Sequence, residues 1–188
     1  TPFDLIRRPP VEGLKSTSIN ASPIFAAENL KWIPSTVKDL ELINQGDIGW
    51  SVLLSLPPSL ESLTLLHCPN ITKGKATNVQ FPQTLKSLTI SYQAADGEFL
   101  GALPESLRFL TLHNAENLTV VALSKLPKYL QYLRLEHCTA TGPNIFMSLP
   151  QTLNGLEILN SSGITAEDLH PFSEKGVSTV FIEPGEYI

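Results

Sequence analysis

Apolar residues recur along this chain in one pattern, Pro-x-x-Leu-x-x-Leu-x-Leu. Pro34 leads Val37, Leu40 and Leu42, and Pro57 leads Leu60, Leu63 and Leu65. Pro82 leads Leu85, Leu88 and Ile90, and Pro104 leads Leu107, Leu110 and Leu112. Pro127 leads Leu130, Leu133 and Leu135, and Pro150 leads Leu153, Leu156 and Ile158. Successive prolines stand 23, 25, 22, 23 and 23 residues apart. A Leu-x-Leu alternation puts both leucines on one face of a short strand. One such strand cannot bury that face alone, so the spacing predicts stacked repeats sharing a parallel sheet and a continuous core. Each proline fixes its own φ, has no N–H to leave unpaired and pushes the preceding residue toward extended geometry. It marks the turn into each strand.

The ends are less regular. Residues 1–10 carry no full repeat. From Val11 the register continues without its proline, Leu14, Thr17 and Ile19 lying 23 residues before Val37, Leu40 and Leu42. At the other end, Val177, Val180 and Ile182 take the strand slots, which leaves Thr179 and Phe181 facing outward, and Pro184-Gly185 stops the strand. The division expected is one domain over residues 1–188: an atypical first repeat or cap (1–32), six regular repeats (33–171) and a degenerate last one (172–188). Two further apolar slots recur in the returning half of the repeats, exemplified by Ile48 and Leu53, and by Leu118 and Leu123. They predict short helices and loops on the outer face. Residues 117–125 and 165–169 read as helical, with Thr165 as an N-cap. Residues 73–76 and 94–98 read as irregular.

Composition narrows the function. With 42% hydrophobic and 16% charged residues, the chain is far from the disordered class. A net charge of −5 argues against a nucleic-acid footprint. No apolar run approaches 18 residues, so no membrane insertion is expected. The missing initial Met points to a processed chain or an excised fragment. Cys68 and Cys138 occupy equivalent places three repeats apart, roughly 14 Å at about 4.8 Å per strand, too far for a disulfide. Two free, buried thiols are expected, which lean toward a reducing compartment. Asn20, Asn70, Asn117 and Asn160 begin glycosylation sequons, two of which, at Asn70 and Asn117, share a repeat position. Secreted or cell-surface and intracellular settings both stay open.

On these motifs the chain resembles the leucine-rich repeat superfamily over essentially all its length. The Leu-Pro-x-x-Leu-x-x-Leu-x-Leu halves are similar to those of bacterial-type and amoebal Phe-Asn-Ile-Pro repeats, although no Phe-Asn-x-Pro follows them here. The segments around His67-Cys68 and His137-Cys138 resemble cysteine-containing repeats of ubiquitin-ligase substrate receptors. The superfamily's ladder slot, commonly Asn or Cys, reads Ser22, Gln45, Cys68, Gln93, Ala115, Cys138 and Ser161; Ala115 has no side-chain hydrogen bond to give. The resemblance implies an α/β fold, a right-handed solenoid with a parallel concave sheet and short helices or loops on the convex side. It also implies protein recognition on the concave sheet.

Residues alternating with the leucines face outward in columns. In the middle repeats these columns bring together Phe109, Thr111 and His113 with Tyr132, Arg134 and Glu136, flanked by Tyr92 and His137. Exposed aromatics beside an arginine are typical of binding hot spots. The plainer alternative is a cross-strand Phe109–Tyr132 pair decorating the sheet. A second column just before the strands, Lys15, Lys38, Glu61, Lys86, Arg108, Gln131 and Asn154, is rich in cations. It could steer an acidic partner or simply be solvated. Catalytic, cofactor-binding and metal residues are not expected: phosphate loops, zinc spacings and nucleophile elbows are absent, and a flat sheet does not converge His113, Glu136 and His137 on one ion. The expected function is a non-enzymatic protein-recognition module. The alternatives are the substrate-recognition part of a larger enzyme, such as a ubiquitin ligase or effector, and a secreted or cell-surface receptor or adhesin ectodomain.

Overall fold

The computed structural model describes residues 16–20, 30–31, 33–72, 79–92, 98–116, 118–140 and 144–185. Eight five-residue strands form one sheet: β1 (Ser16–Asn20), β2 (Asp39–Ile43), β3 (Ser62–Leu66), β4 (Ser87–Ser91), β5 (Phe109–His113), β6 (Tyr132–Glu136), β7 (Gly155–Leu159) and β8 (Ser178–Ile182). They lie in chain order and every neighbouring pair is parallel. From β2 to β7 the register matches the inward leucines and isoleucines to one another, as in Leu110 against Leu133 and Leu135 against Ile158. Those side chains are buried and join a single continuous core.

Each proline opens a tight turn. Its carbonyl accepts the N–H three residues on, in Val37–Pro34, Leu60–Pro57, Leu85–Pro82, Leu107–Pro104, Leu130–Pro127 and Leu153–Pro150, at 3.0–3.2 Å. Two residues after the proline, in four of the repeats, a hydroxyl ties the repeat to the one before. Thr84 Oγ1 donates to the carbonyls of Pro58 (2.8 Å) and Leu60 (2.7 Å), and Thr152 Oγ1 to those of Lys128 (2.8 Å) and Leu130 (2.7 Å). Ser59 and Ser106 donate to Val37 and Leu85 in the same way. Each hydroxyl satisfies turn carbonyls that the sheet leaves unpaired.

The ladder slot behind the strands is buried at Gln45, Cys68, Ala115, Cys138 and Ser161. Cys68 Sγ donates to the Leu42 and Leu66 carbonyls at 3.4 and 3.5 Å, and Cys138 Sγ to those of Leu112 and Glu136 at 3.4 Å. Ser161 Oγ accepts from the Cys138 N–H at 3.0 Å and donates to the Leu159 carbonyl at 3.0 Å. Both cysteines are free and buried. Burial raises the Cys68 thiol and pushes Cys138 up to about 11.

Short elements return the chain on the convex side: α1 (Pro69–Thr72), α2 (Val120–Leu123), α3 (Ala166–Glu174) and 3₁₀ turns at Trp50–Ser55 and Glu98–Ala102. Thr119 caps α2, its Oγ1 accepting from the Ala122 N–H at 3.1 Å. Thr165 caps α3, with its own N–H held by Asp168 Oδ2 at 2.9 Å, a reciprocal capping box. The irregular segments expected at 73–76 and 94–98 lie outside the described residues, apart from Glu98, which begins the 3₁₀ turn Glu98–Ala102.

The last strand corrects the expected register. Thr179 and Phe181, not Val180 and Ile182, pair with the inward Leu156 and Ile158. Phe181 packs on the core, while Val180 is exposed. A slip of one residue exchanges the two faces of a strand, and a Val-Phe-Ile run carries no polar alternation to fix the choice. The end of β4 departs from its neighbours as well. Tyr92 lacks the left-handed φ that Asn44, His67, Asn114, His137 and Asn160 take at the matching place, so the inward alternation Leu88, Ile90 continues into Tyr92.

Candidate functional site

On β5 and β6 the outward positions are paired across the sheet: Phe109 with Tyr132, Thr111 with Arg134, His113 with Glu136. On β7 the partners of Tyr132 and Arg134 are Gly155 and Glu157. The Phe109 and Tyr132 ring centroids are 6.3 Å apart at 45°. Phe109 is 47% exposed even so. Tyr132 leans the other way, over Gly155, where an added β-carbon would stand 2.6 Å from Tyr132 Cδ2. Burial and a hydrogen bond to Glu157 push the Tyr132 phenol up to about 12.

Beside the aromatic pair lies an ionic network. Arg134 reaches Glu136 Oε2 through Nε (3.2 Å) and Nη2 (2.9 Å), and Glu157 Oε2 through Nη1 (3.3 Å). Burial opposes the guanidinium charge, but the hydrogen bond and charge of Glu136 more than offset it and raise the Arg134 pKa. His113 Nδ1 stands 3.6 Å from the same Glu136 Oε2. Its pKa is lowered all the same: burial outweighs the pull of Glu136, and Arg134 adds repulsion. Near neutral pH His113 is therefore an uncharged imidazole beside a carboxylate already shared with Arg134. His137 is exposed, 3.9 Å from Glu136 Oε1. It occupies a left-handed φ of 52°, as Asn44, His67, Asn114 and Asn160 do at their own strand ends. Among the described residues no group of three or more His, Cys, Asp and Glu side chains is placed to hold a metal ion.

Seven of the eight expected site residues therefore share one region of the concave sheet: Phe109, Thr111, His113, Tyr132, Arg134, Glu136 and His137. Tyr92 does not. It is 1% exposed and sits in the core against Phe99 (4.5 Å between centroids) and Trp50 (5.4 Å). Without the left-handed φ of its neighbours it continues the inward row of β4, so Tyr92 is removed from the site as a correction.

Two features escaped the sequence reading. Gly155 is one; an isolated Gly in a strand pattern signals close approach of another group, and the signal was present in the column of outward residues. The other lies at the strand entrance. Tyr129 occupies the place where Ser59, Thr84, Ser106 and Thr152 provide the hydroxyl ladder. It is 47% exposed, with Lys128 Nζ 4.9 Å and Arg108 Cζ 5.6 Å from its ring centroid. Farther along this rim, Glu61 accepts from both Lys38 and Lys86, and those hydrogen bonds hold its carboxyl down at about 2.

The repeat register, the parallel sheet and the buried ladder define a leucine-rich repeat solenoid. Among solved structures the fold is similar to that of the leucine-rich repeat-containing protein LegL7 from Legionella pneumophila, at 15% identity and a TM-score of 0.57, over 97% of this chain and 69% of that one. No family model matches the chain, and no curated protein matches it.

Proposed function

We propose that this chain is a non-enzymatic protein-recognition module that binds its partner on the concave sheet around Phe109, Tyr132 and Arg134. The observation that carries the reading is Phe109. It stands almost half exposed at the middle of a wide sheet, held on one side by Tyr132. Large apolar side chains kept in water on a shaped surface are what interfaces use as anchors. Thr89 and Thr111 beside it are short and leave room for a partner's close approach. The Arg134 network supports the same reading: its guanidinium and carboxylates are already oriented, so little side-chain entropy is lost when a partner docks.

The test uses a partner isolated on the wild-type chain, with affinity then measured against variants. Phe109→Ala should weaken binding by about 2 kcal/mol or more with little change in melting temperature. Lys125→Ala, on the outer face, should leave binding unchanged. A partner that tolerates Phe109→Ala but loses affinity with Lys125→Ala docks elsewhere, and the concave reading fails.

A further inference from the structure

The column of residues immediately before the strands is a physical row. Backbone hydrogen bonds link it repeat to repeat: Lys86 N to Glu61 O (2.8 Å), Arg108 N to Lys86 O (2.8 Å), Gln131 N to Arg108 O (2.9 Å). Its side chains therefore stand about 4.8 Å apart along the rim of the sheet, close to the strand spacing. Between β4 and β6 this rim carries Lys86, whose ammonium is already paired with Glu61, and then Arg108 and Lys128, with Glu105 as the carboxylate in the intervening turn. Arg108 and Lys128 both lie within cation–π distance of the Tyr129 ring, which gathers two positive charges around one exposed aromatic. Arg108 is further fixed by Nη1, which donates to the carbonyls of Glu105 (2.7 Å) and Leu107 (3.0 Å). Phe109, the next residue, opens onto the concave face. The chain as a whole carries −5, so this patch opposes the sign of the rest of the molecule.

We infer that the rim formed by Arg108, Lys128 and Tyr129, continuous with Phe109, receives an acidic peptide segment of a protein partner that also carries an apolar or aromatic side chain. The carboxylates of that segment meet the Arg108–Lys128 pair, and its apolar side chain packs between Tyr129 and Phe109. Charge complementarity selects the occupant: a basic segment would meet like charge at the rim, and a neutral one would leave it uncompensated. The inference rests on the concave-face reading for Phe109 and adds the chemistry of the partner and the side from which it approaches.

Panning a random 12-residue peptide library against the wild-type chain tests this, with Phe109→Ala and a double Arg108→Gln, Lys128→Gln variant as comparison targets. The enriched peptides should be rich in Asp and Glu around an apolar or aromatic residue. A synthetic copy of the strongest one should bind the double variant roughly three- to tenfold more weakly, the scale of one or two exposed charge contacts. Its affinity should also fall with added salt. A panning that enriches no acidic sequence, or an acidic peptide unaffected by the double variant, overturns the inference. The outcomes separate the two readings. Peptides that need Phe109 but ignore the rim cations leave the concave reading standing and remove the acidic partner. Peptides indifferent to Phe109 count against both.

Discussion

Tyr132 covers Gly155 so closely that a β-carbon there would lie 2.6 Å from Cδ2 and 3.1 Å from Cε2 of the ring. The contact couples two repeats on the face proposed for recognition, because the same ring packs against Phe109 on its other side. In the wild-type background Gly155→Ala should destabilise the protein by about 1 kcal/mol or more, as overpacked sites do. In a Tyr132→Ala background the same change should stabilise by about 0.5–1 kcal/mol, since Ala holds an extended backbone better than Gly. Urea unfolding of the four variants checks the reversal; an effect of equal sign in both backgrounds would show that the ring and the glycine do not interact.

The ladder cysteines lack an electropositive neighbour, and burial favours their neutral form. Both thiols should react slowly with a disulfide reagent in the native state and promptly after denaturation. With Cys138 pushed up to about 11, the unfolded thiol ionises first as pH rises, so stability should decline above about pH 8.5. Counting reactive thiols with and without denaturant measures the first claim. Prompt native labelling of either cysteine would contradict the buried ladder.

His113 and Tyr132 give the concave face opposite pH responses. The His113 pKa is lowered on folding, so the unfolded chain takes up its proton first. Its contribution to stability is present above about pH 6.5 and is lost as pH falls through the lower folded value. Tyr132 is raised to about 12, so its contribution is present below about pH 10 and is lost as pH rises toward 12. Imidazole NMR titration should place His113 below about 6.5. Phenolate absorbance should lose one late-ionising tyrosine in Tyr132→Phe, beside the buried Tyr92 that both proteins share. A His113 midpoint above the ordinary value would mean that Glu136, not burial, governs it.

Most of the fold was legible because one constraint repeats. Every strand from β2 to β7 must hide two branched aliphatic side chains, and Pro-x-x-Leu-x-x-Leu-x-Leu, with Ile or Val in a few slots, states that requirement six times. The outward residues then follow from alternation alone, which puts Phe109, Arg134 and Glu136 on one face. Alternation is silent on where a strand leaves its extended path. β2, β3, β5, β6 and β7 are followed by a left-handed residue at the place of Tyr92, whereas Tyr92 has no positive φ and stays in the core. It is also silent on side-chain direction within a face: that Tyr132 leans on Gly155, and that Tyr129 gathers Arg108 and Lys128, depends on rotamers chosen by neighbours one repeat away.

The same limit shows in β8, where the two possible registers make opposite predictions. In the structure Phe181 pairs with inward Ile158 and packs on the core, whereas Val180 pairs with outward Glu157 and is 39% exposed. Apolar spacing by itself favours the reverse, with Val180 and Ile182 inside. The sheet decides because Phe181 in the inward slot continues the core row of Leu135 and Ile158 and lies on the side of the sheet that α3 covers. Phe181→Ala should therefore cost about 1–3 kcal/mol, less than the 3–5 typical of a fully buried Phe because this one is only partly covered. Val180→Ala should cost no more than about 0.5 kcal/mol, the scale of a surface change. Val180→Thr, which keeps the β-branch and adds a hydroxyl, should be nearly neutral on the outward face. Thermal melts of the three variants measure the order; a larger loss for Val180→Ala than for Phe181→Ala would restore the other register and turn the last strand over.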